Sequence, residues 1–562
     1  MDNKLLRYGI PSVVALAFCG LYFYLFIPAI NIRAIGFWMM LLFGFIVFMA
    51  THISLNKPPF VAELKEWFLF NLKGSPKMVW KNGKKVKAYV HGAPKLPKCV
   101  KIPAVIVICI LCAVLLITWV TSTRLFRASK YQSMLNVVEA DFTEDIAELP
   151  ISQIPVVDRD TAERLGSRKI GEVVELVSQF NVSSYYSQIN YMDKPFRVSP
   201  LEYAGFLKWI SNRGEGIPYY VSIDMATQET ELVKLGEGMK YSPSEYFKRD
   251  LNRHIRMEYP TKMFENLSFE INDEGHPYWV MSCFNYTFGL FGGKDIEGIV
   301  LVDAVSGESE YYELSDVPQW IDLAYSEELA VTLANNWGSL KRGYFNSIFV
   351  QKEVVVTTEG YSFIANDDDV WLYTGITSVV ADESNIGFIL INMRTKEAKT
   401  YSINGAEEYS AMSSAEGKIQ EKGYTATFPI LINVEDKPSY FMSLKDNAGL
   451  VKAYAFVSVT DYQIVGVGDT IDQARSEYLR MLGIEESVDD QIGETTEFTG
   501  IVEDIATAVK NGNSLYYIMV NGNIYTADIS VSDVLPFVKA GDSITFTADE
   551  SGKIATIEKT GD

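Results

Sequence analysis

Apolar residues fall into three long uncharged runs near the start of the chain, and into short alternating stretches after it. The runs are Gly9–Ile30, Ala34–Thr51 and Ile102–Thr121. A helix needs about 20 apolar residues to cross a hydrocarbon core of roughly 30 Å, so each run predicts a membrane-spanning helix, the second with little to spare. Only Asn31, Ile32 and Arg33 separate the first two, which predicts a helical hairpin. Lys4 and Arg7 would suit the start of a signal peptide. The first run is too long for that, and no small-x-small cleavage site precedes the second, so it reads as an uncleaved span.

Beyond residue 121 the period shortens. Three places share a β-branched residue, Asp or Asn, two variable positions, Ser or Thr, one more position, then Glu. They are Asp224/Thr227/Glu229, Asp303/Ser306/Glu308 and Asn392/Thr395/Glu397. Asp and Asn side chains accept hydrogen bonds from backbone N–H groups two or three residues on, and Ser or Thr does so more weakly. With aromatic and β-branched residues on either side, each predicts a strand, a tight turn and a second strand. Helical stretches are expected after the hairpins, at 244–257, 317–335 and 406–422. A fourth, 470–482, follows the strand Ala455–Gly466, where the turn signature is lost. Ser242, Asp316 and Asp469 are the expected caps or near-caps, with Pro243 and Pro318 near two helix starts. The unit is therefore α+β, an antiparallel sheet covered on one face by a helix.

His276-Pro-Tyr-Trp-Val-Met-Ser followed by Gly298-Ile-Val-Leu-Val-Asp303-Ala-Val-Ser-Gly-Glu308 resembles a PepSY domain. The resemblance extends in part over residues 200–485. It departs from the family pattern at 387–403, where Asn392 replaces Asp and Lys396 replaces Gly. It implies tandem domains outside a bacterial membrane that regulate or inhibit peptidases, or take part in envelope interactions, without catalysis of their own. The chain as a whole also resembles multi-pass membrane proteins of Gram-positive bacteria.

The last 70 or so residues predict strands at 496–505, 514–528 and 542–558, broken by turns at Asn521-Gly522 and Asp549–Gly552, with a short helix at 531–538. This pattern resembles a small OB-like β-barrel. The expected organisation is a membrane domain over 1–121, a juxtamembrane helix and first α+β segment over 122–200, tandem repeats over 201–490 and the barrel over 491–562.

Charge then fixes orientation. The first 121 residues carry 14 Lys+Arg against 3 Asp+Glu, and the remaining 441 carry 36 against 68. Eleven lysines lie between Lys57 and Lys101, with only Glu63 and Glu66 as acids. Positive loops stay cytoplasmic, which places the N-terminus and the 52–101 loop inside and residues 122–562 outside a plasma membrane. Within that loop Val61–Leu72 is amphipathic, and Met78–Val90 alternates about Asn82-Gly83, a hairpin signal. Lys81, Lys84, Lys85 and Lys87 would face anionic headgroups of the bilayer. The acidity of the outer region argues against nucleic acid, as does the excess of 11 acids over 4 lysines in 494–562.

Chemistry is sparse. Cys109-x-x-Cys112 lies inside an apolar run, where thiols act as small hydrophobes, and Cys283 alone lies in the outer region, so no intramolecular disulfide forms there. Asp367 and Asp369 offer alternate carboxylates to a cation such as Ca2+, but nothing completes a ligand set, and a solvated turn before the strand 370–373 is the better reading. Gly289–Lys294 lacks phosphate-loop spacing and reads as a glycine turn. His254 and His276 belong to no metal or catalytic motif, and no cofactor is implied. The sequence thus predicts a non-enzymatic envelope scaffold that contacts other envelope proteins or cell-wall components. A carboxylate-pair wall hydrolase and a signal relay are the alternatives.

Overall fold

The computed structural model describes residues 8–56, 75–81, 84–90, 98–366, 368–379, 384–484, 496–510, 513–532, 534–549 and 552–559. The amphipathic stretch 61–72 lies outside them. The chain divides into two compact units, Met1–Val465 with Asp469–Ile471, and Gly466–Gly468 with Asp472–Asp562.

Apolar helices span Ile10–Phe26, Ile35–Asn56 and Lys98–Ser122. Among the described residues one, Ile35–Leu55, is long and apolar enough to cross a membrane. The first is cut short at 17 residues because Pro28 follows. Proline disfavours helical geometry in the residue before it, and Ile27 turns left-handed with φ 41°. The first two helices pack closely, and a Cβ on Gly44 would collide with the Cys19 sulfur.

The tip of this helical hairpin meets one end of a β-sheet. Ile30 N–H donates to the Pro260 carbonyl at 2.7 Å, and Arg33 Nη1 donates to Asn285 Oδ1 at 2.9 Å. The C-terminal end of the helix Lys98–Ser122 reaches the same end, where Ser122 Oγ accepts from the Phe291 N–H at 3.4 Å. A following helix, Arg124–Gln132, packs against the helix Glu327–Ser339.

Four larger sheets follow, antiparallel except that Ala398–Tyr401 in the third also pairs parallel with Val137–Glu139, and a two-stranded sheet joins Ser384–Asn385 to Gly405–Ala406. The central hairpins of the four pair Lys194–Tyr203 with Ile217–Asp224, Pro277–Phe288 with Gly292–Asp303, Asp369–Ser378 with Gly387–Asn392, and Lys437–Lys445 with Val451–Ser458. Each hairpin closes on itself in the same way. The N–H groups of Met225, Ala304, Met393 and Val459 donate to the carbonyls of Pro195, Pro277, Val370 and Pro438 at 2.9–3.3 Å. The carbonyls of those same four residues accept N–H groups from Val156, Lys240, Ala324 and Ala406 at 2.8–3.0 Å. Each of these donors lies just ahead of a helix: Arg159–Gly171, Leu251–Glu258, Glu327–Ser339 and Glu408–Lys418. Helices follow the hairpins as expected, at Leu251–Glu258, Glu327–Ser339, Glu408–Lys418 and Ile471–Leu482, while these backbone bonds also tie each closed hairpin to the segment ahead of its own sheet. A boundary after residue 200 falls inside the strand Lys194–Tyr203.

Helix starts also move. Asp250 and Ser326 cap two of them, accepting from Arg253 N–H at 2.9 Å and Leu329 N–H at 3.3 Å. Ser242 and Asp316, the expected caps, lie upstream. Ser242 accepts from the Ser244 N–H, and Asp316 ends a 3-10 turn. The second and third sheets share one core with the helix Glu327–Ser339, which buries Leu329, Leu333 and Ala334 against Val280, Ile299, Leu372 and Ile389.

In the C-terminal unit five strands pair antiparallel in the order Asn523–Asp528, Asn513–Val520, Thr496–Lys510, Ser543–Ala548, Ile554–Lys559. The two ends of that order meet at a bridge between Thr526 and Lys553. Tyr525, Phe498 and Phe546 stack inside, with ring centroids 4.7–5.5 Å apart. The expected helix at 531–538 is replaced by 3-10 turns at Ile529–Val531 and Leu535–Phe537.

Candidate functional site

The three signature turns have one geometry. Oδ1 of Asp224 accepts from Ala226 and Thr227 N–H at 2.8 and 2.9 Å. Asp303 does so from Val305 and Ser306 at 2.7 and 2.9 Å, and Asn392 from Arg394 and Thr395 at 2.9 and 2.8 Å. The hydroxyls of Thr227, Ser306 and Thr395 then accept the N–H of Glu229, Glu308 and Glu397 at 3.1–3.3 Å. The carbonyls of those three glutamates accept the N–H of Asp224, Asp303 and Asn392, closing the ring. Signature side chains are thus spent on their own backbone.

A fourth copy escapes the sequence pattern. Ser458 pairs with Ser439 as Asp303 pairs with Tyr278, and its N–H donates to the Ile464 carbonyl at 3.1 Å. Ser458 Oγ accepts from Asp461 N–H at 3.3 Å, a weaker version of the same cap. The preceding Asp436-Lys-Pro438, like Asp193-Lys-Pro195, was the available signal.

The residue that opens the hairpin reaches across to the turn. In the second sheet His276 Nε2 lies 3.0 Å from Asp303 Oδ2. Burial alone would raise the Asp303 carboxyl, but the Ser306 and Val305 N–H groups and His276 hold it below its usual value. In the third sheet Asp369 takes the place of His276. Its two oxygens accept from Arg394 at 2.6 and 2.9 Å and from Asn392 Nδ2 at 2.8 Å. Both oxygens are therefore committed, which removes Asp369 from cation binding, and Asp367 lies outside the described residues. No group of three or more His, Cys, Asp or Glu that could hold a metal ion occurs among the described residues.

Two other carboxyls come together in the interior. Glu270 and Asp322 are 0% and 1% exposed. Glu270 accepts from the N–H groups of Asp322 and Leu323 at 2.8 and 3.2 Å and from Ser268 Oγ at 3.0 Å. Burial still pushes its carboxyl up to about 7. Asp322 accepts from the Asn190 N–H at 2.7 Å, and burial together with the Glu270 charge raises it well above the usual range. Neither carboxyl meets solvent, and sequence spacing holds no hint of their pairing.

An open cleft of about 580 Å3 lies between the first sheet and the turn before Pro277. Tyr191, Phe196 and Tyr220 line one side, with Ser222, Glu231 and Lys234, and His276 stands at its rim. Burial pushes the Tyr220 hydroxyl up to about 12, so it stays protonated and donates to the Gly275 carbonyl at 3.2 Å. The aromatic walls offer stacking faces, and the few polar groups offer hydrogen bonds.

Elsewhere, Ser75–Lys81 and Lys84–Val90 pair as a hairpin, with Lys84 opposite Lys81, Lys85 opposite Trp80 and Lys87 opposite Met78. Gly289 and Gly293, both at φ 65°, form the expected turn between strands. His254 is part-buried, its Nε2 2.7 Å from the Gly307 carbonyl. Cys109 and Cys112 are free, as is the buried Cys283.

No protein-family model matches the chain, and no curated protein does. Among solved structures, a levansucrase of B. megaterium is 8% identical, over 77% of this chain and 96% of that one, with a TM-score of 0.17. An exo-1,5-alpha-L-arabinanase from a bovine ruminal metagenomic library is 9% identical over 68% and 98%, with a TM-score of 0.16. Likeness at that level carries no argument about fold or activity.

Proposed function

We propose that this is a non-enzymatic, membrane-anchored protein of the cell envelope, whose four PepSY-like units form a scaffold for a protein or cell-wall partner. The observation that carries the reading is how the polar residues are used. Signature side chains cap their own turns, the carboxyls of Glu270 and Asp322 are sealed from any substrate, and an aromatic-walled cleft stands open beside the first sheet. A wall hydrolase would need a pair of carboxyls facing a groove. A photo-crosslinking residue at Val233, inside the cleft, should capture one specific envelope partner in cells, whereas no adduct would count against the scaffold. Release of product from peptidoglycan by the purified full chain would overturn the non-enzymatic reading.

The anchor is read as three membrane spans, with the N-terminus and the lysine hairpin cytoplasmic. Support comes from the contacts that bring the 27–33 tip and the end of the third apolar helix to one end of the second sheet. The bridge from Thr526 to Lys553 supports reading the C-terminal unit as a small OB-like barrel. Cysteines placed singly at Asn82 and Asn521, in a background without native cysteines, test the topology. A membrane-impermeant thiol reagent on intact cells should label 521 and spare 82. The reverse pattern would overturn the orientation.

A further inference from the structure

The short helix Phe206–Asn212 buries a single side chain, Trp209. Its Nε1 donates to Glu245 Oε2 at 2.6 Å, and Tyr203 Oη donates to Glu245 Oε1 at 2.9 Å, so a buried carboxylate pins the ring in place. Around that pinned ring the surface is apolar where water would favour polar groups. Leu207 is 76% exposed and Phe247 58%, with Phe206, Ile210 and Tyr246 exposed beside them. The rings of Phe206, Tyr246 and Phe247 lie 4.9–5.9 Å from Trp209 or from each other.

Two observations say what covers this face. The first is its continuity with the anchor. Arg253 Nη1 donates to the Phe247 carbonyl at 3.1 Å, while its guanidinium lies 4.7 Å from the centre of the Tyr24 ring, near the end of the first apolar helix. Arg256 Nε donates to the Ile27 carbonyl at 3.0 Å, where that helix ends. The second is charge. The region after residue 121 carries 36 basic against 68 acidic side chains, yet 206–213 and 246–257 hold six Lys and Arg with Asp250 as their single acid. Arg213 also sits over the Trp209 ring at 5.3 Å.

We infer that this aromatic and basic face rests in the outer headgroup layer of the membrane, with Leu207 and Phe247 reaching toward the acyl chains and Lys208, Arg213 and Lys248 meeting anionic headgroups. The inference rests on the membrane-anchor reading above. Aromatic rings with a polar edge belong at that depth, and lysine and arginine stems extend their charge to the headgroups. A pinned Trp209 presents the face without an ordering cost at the moment of contact.

The test uses the full chain in vesicles of phosphatidylcholine with phosphatidylglycerol, with native cysteines replaced. An environment-sensitive fluorophore is placed at Leu207→Cys, at Leu115→Cys in the third apolar helix, or at the exposed Asn447→Cys. A lipid-borne nitroxide should quench the labels at 207 and 115 and leave 447 bright. A bright 207 label beside a quenched 115 label overturns this inference alone, and two bright labels overturn the anchor reading with it. Quenching at 447 equal to that at 207 also overturns the inference. The double variant Lys208→Glu/Lys248→Glu should lose quenching at 207 and keep it at 115. Unchanged quenching at 207 in that variant, or in vesicles of phosphatidylcholine alone, overturns the headgroup assignment.

Discussion

In the second sheet His276 faces Asp303, and in the third Asp369 faces Asn392. The turn is the same, but the donor has changed sides. A carboxylate at the turn requires a donor opposite, which His276 supplies. With Asp369 opposite, a second carboxylate would stand against it. Asn392 keeps one oxygen for the two turn N–H groups and offers its amide to Asp369. The change from Asp to Asn, a departure from the other two turns when read along the chain, is compensation when read across it. The neighbouring departure also has a local cause. Gln228, Gly307 and Lys396 all have positive φ, at 66°, 80° and 66°, so the turn itself tolerates a side chain. Glycine is needed at 307 because a Cβ there would collide with the Tyr241 ring. Lys396 instead uses its side chain, which pairs with both oxygens of Asp295 in the second sheet at 2.8 and 2.9 Å.

The largest break in this comparison should come from Gly307→Lys. It adds left-handed strain and displaces Tyr241, for an expected loss of about 2–4 kcal/mol in urea unfolding of the full chain in detergent. The reciprocal Lys396→Gly relieves a positive φ but leaves the largely buried Asp295 without its partner, so it should cost less, about 1–2 kcal/mol. Equal effects at the two positions would contradict the Tyr241 explanation.

Asn392→Asp should cost about 2–3 kcal/mol, because it sets two carboxylates together in a largely buried site. Adding Asp369→Asn should restore more than half of the loss, and simple additivity of the two changes would sink the donor-exchange account.

Two carboxyls attached to the second sheet should respond to pH with opposite sign. Glu270 is raised from 4.5 to about 7, so below pH 4.5 both folded and unfolded chains hold its proton. As pH climbs from 4.5 the unfolded chain releases it first, and stability falls until the folded group ionises near 7. Asp322 acts in the same direction. Asp303, lowered from 3.8, contributes stability above that value and loses it as pH drops through its folded value. Unfolding midpoints measured across pH 4–8 should show less of the decline toward neutral pH in Glu270→Gln, and an unchanged slope would remove Glu270 as its source.

The smallest effect should be a gain. Ser458→Asp would strengthen the weak cap of the fourth turn by about 0.5–1 kcal/mol, readable as a raised thermal midpoint. A loss would mean that the fourth turn differs from the other three.

What was legible in the chain was local. The Asx turns at 224, 303 and 392 use hydrogen bonds spanning two or three residues, so a seven-residue pattern contains every partner they need. The uncharged runs announced apolar helices for the same reason, since helix formation and hydropathy are properties of contiguous residues. Even there, Pro28 shortened the first helix below what the run suggested. What only the tertiary structure decided involved partners far apart along the chain. Which segment each hairpin is tied to depended on the carbonyl of Met225 reaching Val156, and that of Ala304 reaching Lys240. Ser458 took its place as the fourth turn through the register that sets it across from Ser439, with Asp436-Lys-Pro438 as the local sign of it. Glu270 and Asp322 became sealed because Asn190, Glu270 and Asp322, far apart along the chain, are brought together and buried, which no spacing of two carboxylates can signal. Local patterns carry the bonds a segment makes with itself; burial and the choice of distant partner follow from how the sheets close, and these decided which acids became structural and which faces stayed open.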